Sequence, residues 1–467
     1  MSEPTEADRS EAPGLSPRRQ AAVGLVLLLF FEGLLLYQYG WRHQNLLHAD
    51  LPPLYFATHM AFRHHQSPYD FPAMAEQAPI IEQPVFPFLY PPPSLVPLLP
   101  LAMVSYRAAK WGMVLANHLL VPLLAYLLGF RVTRFANPVL GFFAAAAVLL
   151  SFPITQTIVH DQINVAVIVL ICWSWLGLRR ERAGWPGVPL ALAVLLKQSP
   201  VILLALLVVE RRWRALGTAV ATLGAALIVS VVAVPGRAWS DWFEVVRPSL
   251  FYGRMPVFLF SPACPYNQSL NGAVSRLFLD PSCTPTDSVV PIAGRVLAYG
   301  LALAIVGLSL AATWWTSRLP SAIRIDRGFA LLLPAMFLVS PLAWEHHLVF
   351  VLPSLVVACT LVLNRRRPSA VWACLLAVCA LVIALPLPID HPALRYGLWV
   401  HLISLRTYAV LGLWAILLVL SPGSTAIPRR PKPETASHVP RSPHPTTASP
   451  ASAVRGPSVF FRDRPPC

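Results

Sequence analysis

The chain has 467 residues, of which 56% are hydrophobic and only 12% are charged, and its mean hydropathy is +0.60. A water-soluble protein of this length would expose far more charge, so the composition excludes a soluble globular protein. The formal net charge of +15 comes mainly from arginines, many of them in short blocks between apolar runs, as in cytoplasmic loops of membrane proteins. We therefore expect membrane lipids, and no nucleic acid, among the partners.

The arginine blocks predict the path of the chain across the membrane. They lie at residues 18–19, 131–134, 179–182, 211–214, 318–327, 365–367 and 429–432. If every block faces the cytoplasm, each pair of consecutive blocks is separated by an even number of crossings. Apolar runs of about 18–20 residues match a hydrocarbon thickness of ~30 Å. The predicted spans are residues 21–38, 108–129, 137–152, 162–178, 215–234, 291–315, 328–342, 346–363, 369–388 and 399–421.

Two apolar stretches do not fit as simple spans. Residues 185–209 lie between two blocks that require the same side, and Lys197 and Pro200 interrupt the middle. Two half-length helices with their tip at Lys197 satisfy both facts, since broken helices are tolerated where they line a protein cavity. Residues 93–103 are too short to cross alone. The sequence thus predicts an all-α polytopic membrane protein with ten full spans, or twelve helices if the broken pair is counted.

Two terminal segments and two long loops flank or interrupt this domain, which covers residues 21–421. Residues 1–20 are polar and lack a following signal-peptide cleavage site, so we expect them to remain in the cytoplasm. The tail, residues 422–467, is basic and rich in proline, which predicts cytoplasmic disorder. Two long loops, residues 39–93 and 236–290, are predicted on the outer side.

The outer loops carry further local signals. Leu51, Leu54, Tyr55 and Phe62 recur at helical spacing, which predicts a short amphipathic helix on the outer membrane interface. In the second loop, Cys264 and Cys283 would face an oxidising compartment, so a disulfide is expected, with two unrelated thiols as the alternative.

The unusual polar residues fall at or near the outer ends of the predicted spans. They are Asp50, Tyr90, the run His160-Asp161-Gln162, Asn164, Lys197, Asn267, Trp344, Glu345, His346 and His347. Ionisable groups near membrane depth are costly and usually mark a functional cavity, so we expect these segments to converge on one site.

Several of these residues also have a purely structural alternative. Asp50 can cap the helix that follows it, and Lys197 can cap the carbonyls of the half-helix before it. Gln162 and Asn164 can be ordinary polar residues at a helix start, and Tyr90 can belong to a rigid proline turn. The adjacent histidines 346 and 347 are a weak metal signal, since neighbours on a helix point in different directions.

The chain lacks the motifs of an enzyme that uses a soluble nucleotide sugar. No glycine-rich phosphate loop and no aspartate pair for a metal–nucleotide complex is present in the sequence. Nucleotide donors also stay in the cytoplasm. If group transfer occurs at the outer face, the simplest activated donor is a lipid phosphate in the bilayer, and no metal or other cofactor is expected.

The order of the polar motifs resembles glycosyltransferase family 87, bacterial membrane mannosyltransferases with the GT-C fold. The matching motifs are Asp50 with Leu54-Tyr55-Phe56-Ala57, Ser67-Pro68-Tyr69-Asp70, Phe88-Leu89-Tyr90-Pro91-Pro92-Pro93, Gln162-Ile163-Asn164, Leu196-Lys197-Gln198-Ser199-Pro200 with Arg211-Arg212-Trp213, Asn267-Gln268-Ser269-Leu270, and Ser340-Pro341-Leu342-Ala343-Trp344-Glu345-His346-His347. There are departures. Asp161 stands where the family more often has glycine, Glu345 where aspartate is common, and Ser199 where an apolar residue or threonine precedes the proline.

The resemblance implies an enzyme of the bacterial cytoplasmic membrane, with both termini in the cytoplasm and the active site facing outward. It would transfer a hexose, typically mannose, from a polyprenyl-phosphate sugar to a lipid or glycan acceptor with inversion. It makes Asp50 the general base. Lys197 and His346 or His347 would then stabilise the leaving phosphate, Trp344 and Tyr90 would stack on sugar, and Gln162, Asn164 and Asn267 would contact hydroxyls. The alternative function is a transporter or flippase for a lipid-linked or small polar substrate.

Overall fold

The computed structural model describes residues 17–37, 50–78, 85–133, 135, 137–254, 260–284, 288–364 and 369–420. All of them fall within one compact unit, Met1–Thr425. The predictions for the polar segment up to residue 16, for the arginine blocks 365–367 and 429–432, and for a disordered tail lie outside the described residues.

The described part of the chain is helical and contains no strand. The first half of the chain contains α1 (Pro17–Leu35), α2 (Leu51–Phe62), α3 (Phe71–Glu76), α4 (Tyr106–Tyr126), α5 (Pro138–Leu149), α6 (Phe152–Val159), α7 (Asn164–Arg179), α8 (Gly187–Leu196), α9 (Leu203–Val209) and α10 (Trp213–Ala233). The second half contains α11 (Gly236–Asp241), α12 (Arg247–Ser249), α13 (Leu270–Ser275), α14 (Ile292–Trp315), α15 (Ser321–Leu338), α16 (Leu352–Leu363), α17 (Ala370–Ala384), α18 (Val400–Ile403) and α19 (Leu405–Val419). Short 3₁₀ segments include Pro92–Leu95, Leu99–Met103, Ser199–Ile202 and Glu345–Phe350.

A helix lies at each of the ten predicted spans. Three helical segments are long and apolar enough to cross a membrane, namely Tyr106–Val132, Trp213–Ala233 and Ile292–Trp315. Two bent pairs bring the number to five, since α5 with α6 and the segment Gly397–Ile403 with α19 pass the same test together. The others are shorter apolar helices, or carry charge as α15 does. The all-α membrane fold is therefore confirmed, while ten full crossings stays a prediction.

The broken segment around Lys197 forms a helical hairpin. α8 ends at Leu196, and the chain resumes as a 3₁₀ turn at Ser199 that leads into α9. Gly187, at the start of α8, packs directly against Ala215 and Ala219 in the first turns of α10, and α9 ends four residues before α10 begins. Both ends of the segment thus lie at the same end of α10, and the predicted tip at Lys197 is confirmed.

The predicted interfacial helix does form, but its predicted position is wrong. α2 is buried on almost every side, with only His59 and Phe62 partly exposed. It packs in a second hydrophobic cluster with Tyr69 and Phe88 from the same outer loop and with Leu95 just after that loop. Helical spacing within a loop shows which side chains share a face, but not what covers the opposite face. Here the cover comes from the rest of the loop and from residues 101–104, whose carbonyl oxygens bind Tyr55, His59 and Arg63.

Four of the arginine blocks meet at one end of the helix bundle. The Arg179 guanidinium lies 2.6 Å from the Asp326 carboxylate and donates to the carbonyl oxygens of Arg131 and Val132. Nearby, Arg324 pairs with Glu210 at 2.9 Å, and Arg212 donates to Ser321. The blocks at 131–134, 179–182, 211–214 and 318–327 therefore share one side, as the positive-inside pattern requires.

The packing of α8 on α10 generates a prediction about stability. A methyl group at Gly187 would overlap the carbonyl oxygen of Ala215, which is backbone and cannot move aside, whereas a methyl group at Gly224 of α10 meets no other atom within 4 Å. We expect Gly187→Ala to lower the free energy of unfolding by about 1–3 kcal/mol through overpacking. Gly224→Ala, the matched control, should be neutral or slightly stabilising, because alanine favours helix. Thermal unfolding in detergent measures both, and equal midpoints for the two variants would contradict the close packing.

Candidate active site

One cavity of about 520 Å³ opens at the end of the bundle opposite the arginine pairs. Asn164 and Arg179 begin and end α7, so the two ends are separated by about 22 Å of helix. Nine of the twelve polar residues predicted to converge line the cavity, namely Asp50, Tyr90, His160, Gln162, Lys197, Trp344, Glu345, His346 and His347. The scattered polar segments therefore converge on one site. Its volume is in the range of small-molecule sites.

Asp50 faces the cavity because its helix offers it no capping partner. A cap residue normally accepts from the backbone N–H groups two or three positions into the helix, but at α2 these positions are Pro52 and Pro53, which have no N–H. The side chain makes no capping hydrogen bond, in contrast to Asp70, which accepts from Ala73 at the start of α3. The structural alternative for Asp50, a helix cap, is therefore wrong.

The environment of Asp50 makes it a stronger base than an exposed aspartate. Its carboxylate lies 3.7 Å from Nδ1 of His160, and a quarter of the side chain is exposed. Burial raises the pKa of Asp50, while His160, a hydrogen bond from Gln162 and the more distant Lys197 oppose that rise. His160 lies within the polar run 160–162 of the sequence, and the structure adds it as a direct neighbour of the carboxylate.

The turn that carries His160 and Gln162 requires an unusual backbone conformation. Asp161 has φ of +48°, in the left-handed region that glycine adopts most readily. Its side chain is buried, and this burial raises the pKa of Asp161 to about 7, with Lys110 opposing the rise. The glycine expected here from the family resemblance would adopt the same conformation without strain.

Lys197 sits at the tip of the hairpin and contacts two other elements. Its Nζ lies 2.8 Å from Oδ1 of Asn164 and 2.7 Å from Nε2 of His347. Asn164 is fully buried and does not line the cavity, so it positions Lys197 rather than contacting a hydroxyl as predicted. The ammonium or amine of Lys197 is thereby directed into the cavity rather than onto the carbonyls of α8.

Asn267 also has a different role from the predicted one. It is buried and lies outside the cavity lining, where its Oδ1 accepts from the Ala343 N–H at 3.1 Å. Its Nδ2 donates to the carbonyl oxygens of Pro262 and Pro341. The side-chain amide of Asn267 is thus occupied by the protein backbone and is not offered to a sugar hydroxyl.

A second bond fixes the same backbone segment. The backbone N–H of Gln268 donates to the Ala343 carbonyl oxygen at 2.7 Å. Together with the Asn267 contacts, this bond holds residues 341–343 in place, just before the cavity residues at positions 344–347. Asn267 therefore positions the site from behind.

A disulfide closes the loop that contains Asn267. Cys264 and Cys283 are joined in the structure, as expected from the sequence. Within this loop, the buried guanidinium of Arg276 donates to the carbonyl oxygens of Cys264 and Asn267. The loop is thus fixed by a covalent bond and by buried hydrogen bonds, and it provides a rigid support for the site.

Aromatic rings form one wall of the cavity. Trp344 lies nearly parallel to Tyr266, with ring centroids 6.1 Å apart, and Phe260 meets Trp344 edge-on at 5.3 Å. The Tyr266 hydroxyl donates to Asp390 at 2.7 Å. Tyr90 also lines the cavity, and its backbone carbonyl accepts from Tyr69. Flat apolar faces with polar rims suit the ring of a sugar.

A charged residue behind the cavity wall has no counterpart among the sequence predictions. Arg406, at the start of α19, is fully buried and pairs with Glu345 at 2.7 Å, while its guanidinium lies over the Phe152 ring. A buried ion pair is costly to break, because one charge is left without a partner. Arg406 was detectable in the sequence as a single arginine outside the blocks, near the outer end of a predicted span.

Among the residues that the structure describes, no three His, Cys, Asp or Glu side chains are arranged to hold a metal ion. The polar groups of the cavity are instead a carboxylate, an amine, imidazoles and amides. Together with the helical membrane fold, this set of groups defines a membrane protein with a cavity lined by polar and ionisable side chains.

Comparisons with known proteins identify the class of enzyme more closely. The chain belongs to glycosyltransferase family 87, which residues 88–341 match. The match includes Tyr90, Gln162, Lys197 and Asn267, whereas Asp50 precedes it and Trp344 follows it. The family is one of glycosyltransferases, so the chain is an enzyme and the alternative of a transporter is not retained. No solved structure matches the chain.

Three relatives show the range of the similarity. A polyprenol-phosphate-mannose-dependent alpha-(1-2)-phosphatidylinositol mannoside mannosyltransferase of Mycolicibacterium smegmatis is 28% identical, over 67% of this chain and 71% of the relative. A polyprenol-phosphate-mannose-dependent alpha-(1-2)-phosphatidylinositol pentamannoside mannosyltransferase of Mycobacterium tuberculosis is 26% identical, over 76% of this chain and 75% of the relative. An alpha-(1->3)-arabinofuranosyltransferase of Mycobacterium tuberculosis is 28% identical, over 40% of this chain and 41% of the relative.

The backbone conformation at Asp161 generates a prediction that compares two substitutions at one position. Asp161→Gly and Asp161→Ala both remove the carboxylate, so their difference isolates the backbone. Because a left-handed conformation costs an L-residue about 1–2 kcal/mol, we expect the glycine variant to be the more stable by that amount. Thermal unfolding in detergent measures the difference. The same pair of substitutions at Ser282, which lacks a positive φ, should not favour glycine, and an alanine variant at 161 as stable as the glycine variant would contradict the assignment.

Proposed function

We propose that the chain transfers a mannosyl group from a polyprenyl-phosphate mannose to a lipid or glycan acceptor, with inversion at the anomeric carbon. By their names, two of the relatives above act on phosphatidylinositol mannosides, which makes a mannosylated inositol lipid the first acceptor to test. The observation that carries the proposal is the Asp50 carboxylate, free of any capping bond, in the same cavity as Lys197 and His347.

The proposed reaction begins with removal of a proton from the acceptor. As the acceptor hydroxyl oxygen forms its bond to the anomeric carbon, its proton passes to Asp50. The bond between that carbon and the phosphate oxygen breaks on the opposite face, and the polyprenyl phosphate leaves with the electron pair. A positioned carboxylate contributes ~10²–10⁴-fold to such a step, and burial makes Asp50 a stronger base than it would be in water.

The other side of the cavity supplies the groups that the leaving phosphate needs. Lys197 and His346 are buried and His347 is half-buried. Their nitrogen atoms line the cavity, where polar interactions with a developing charge are stronger than in water. These donors are sufficient for a reaction that requires no metal or other cofactor. The parallel rings of Trp344 and Tyr266 suit the flat face of a sugar ring, and Gln162 and Glu345 lie where they can contact hydroxyls.

We also propose that the cavity faces the outside of the bacterial cytoplasmic membrane, with both termini in the cytoplasm. Two observations support this orientation. Four arginine blocks lie together at the opposite end of the bundle, where Arg179 pairs with Asp326 and Arg324 pairs with Glu210. A cluster of arginines favours the cytoplasm for that end. The disulfide between Cys264 and Cys283 lies in the loop that supports the cavity, and disulfides persist in oxidising compartments.

The role of Asp50 predicts the behaviour of a pair of matched variants. Asp50→Asn keeps the size of the side chain but cannot accept the proton, so we expect mannosyl transfer to fall by at least about 100-fold. Asp70→Asn is the control, because Asp70 belongs to the same loop and only caps α3. Purified protein with polyprenyl-phosphate mannose and phosphatidylinositol mannosides, analysed by mass spectrometry, gives the rates. Undiminished turnover in the Asp50 variant would remove Asp50 from the mechanism.

The donor is tested in the same assay. Polyprenyl-phosphate glucose and a lipid-linked arabinofuranose serve as competing donors, and we expect mannose to be transferred in preference to both. Transfer from neither mannose nor any other lipid-linked sugar would overturn the proposed function.

The orientation predicts from which side of the membrane a labelling reagent reaches single cysteines. Glu76 and Arg318 are exposed residues at opposite ends of the bundle. In a chain whose free cysteines are replaced by serine, Glu76→Cys should react with a membrane-impermeant maleimide on intact cells. Arg318→Cys should react only after permeabilisation. The reverse pattern would place the cavity on the cytoplasmic side.

A further inference from the structure

The hydrogen bonding of His347 fixes which of its ring nitrogens carries hydrogen. Its Nδ1 lies 3.0 Å from the backbone nitrogen of Trp344, which can only donate. Nδ1 must therefore accept, and this excludes the doubly protonated imidazolium. A neutral imidazole with an accepting Nδ1 carries its hydrogen on Nε2. His347 is thus neutral and presents an N–H group at Nε2.

This N–H group points at Lys197. The distance from Nε2 of His347 to Nζ of Lys197 is 2.7 Å, within the range of a hydrogen bond. An ammonium has three hydrogens and no lone pair, so in its charged form Lys197 would oppose one N–H group with another. An uncharged amine has a lone pair and can accept from His347.

The second contact of Lys197 fits the same assignment. The Nδ2 group of Asn164 donates to the carbonyl oxygen of His346, which orients Oδ1 of Asn164 toward Lys197. An uncharged amine donates one hydrogen to this oxygen, accepts one from His347, and retains one hydrogen for the cavity. Both neighbours of Lys197 are thereby satisfied.

The surroundings of Lys197 do not require a positive charge in the empty cavity. Its residue is 7% exposed, and none of the ion pairs among the described residues includes it. The titratable groups that face it are His346 and His347 from the 3₁₀ segment after α15 and Asp50 from the start of α2. The Phe350 ring lies 5.8 Å away, near the outer limit of a cation–π contact. Burying an ammonium without a close carboxylate is costly.

We propose that His347 keeps Lys197 as an uncharged amine in the empty site, and that a bound phosphate group causes Lys197 to take up one proton from solvent. A phosphate oxygen between the two nitrogens accepts from Nε2 of His347 and from the newly formed ammonium, so it replaces the N–H···N contact by two charge-assisted bonds. His347 is then a positioning residue that acts through Lys197. This inference rests on the proposed function, because it takes the lipid phosphate as the anion that enters the site.

The proton uptake balances the charges of the proposed reaction. The phosphodiester donor carries one negative charge, and the phosphate that leaves carries a second one, while the acceptor's proton stays on Asp50. A positive charge that is present on Lys197 only when phosphate is bound stabilises the donor and, more strongly, the leaving group. When the lipid phosphate departs, Lys197 returns its proton to solvent and the resting pair with His347 forms again.

The test measures protons bound with the ligand. The probe is farnesyl methyl phosphate, a phosphodiester whose single acidic oxygen stays ionised throughout the neutral range and so contributes no proton of its own. Binding to the full-length protein in detergent is followed by titration calorimetry at pH 7 in two buffers with different heats of ionisation. We expect the wild-type protein to take up about one proton per diester bound, since an amine becomes an ammonium.

Two variants and a control assign that proton. Lys197→Arg places a permanently charged guanidinium at the site, and His347→Phe removes the N–H group that holds the amine uncharged. Both should bind the diester with an uptake lower by about one proton than the wild type. His401→Phe, an exposed histidine outside the cavity lining, should leave the uptake unchanged. The two variants change different residues, so if one of them misfolds, the other still tests the proposal.

The outcomes separate this inference from the proposed function. Binding with the same proton uptake in the wild type and both variants would overturn the inference and leave the phosphate site intact. Binding without any uptake in the wild type would do the same. Failure of the wild-type protein to bind the diester would overturn the proposed lipid-phosphate site, and the inference with it.

Discussion

The structure depends on α7, a buried helix that is held by polar contacts at both ends. Between Asn164 and Arg179 its side chains are almost all apolar and buried. At one end Arg179 binds Asp326 and two backbone carbonyls, and at the other Asn164 binds Lys197 and the backbone of His346. Buried polar groups are costly unless they are paired. These contacts therefore fix the neighbouring segments against both ends of α7.

This arrangement separates structural charge from reactive charge. At the Arg179 end, the guanidinium groups of Arg179 and Arg324 lie 2.6 Å and 2.9 Å from the carboxylates of Asp326 and Glu210. In the cavity, by contrast, Asp50 lies 3.7 Å from its nearest cation candidate, and Lys197 contacts only an amide and an imidazole. Groups that are not neutralised by the protein remain available to a substrate. The difference between the two ends is what makes one of them suitable for chemistry.

The sequence was sufficient for much of the fold and for the composition of the site. The membrane helices follow from local apolar runs, and the side on which each loop lies follows from its arginines. Both signals are local in the sequence and could be recognised without the structure. The convergence of Asp50, Lys197 and His347 followed from their common position at span ends. The disulfide followed from the loop in which its two cysteines lie.

What the sequence could not predict depended on contacts between distant segments. α2 is covered by the rest of its loop and by residues 101–104, and periodicity alone does not report such a cover. Asn267 was predicted to contact substrate, but its amide is used by the backbone of residues 341–343. Arg406 was missed because its partner, Glu345, is 61 residues away in the chain. Pro52 and Pro53 did carry a usable signal, since two residues without N–H groups leave nothing for Asp50 to cap.

The hairpin of α8 and α9 has a mechanical consequence. The backbone at Lys197 is carried by about 15 Å of helix whose depth in the bundle is set where Gly187 touches α10. A slip of one residue along that contact would raise or lower the amine by about 1.5 Å, which is enough to lose both of its partners. The depth of the Lys197 amine in the bundle is thus determined by Gly187, which lies at the end of α8 away from the cavity.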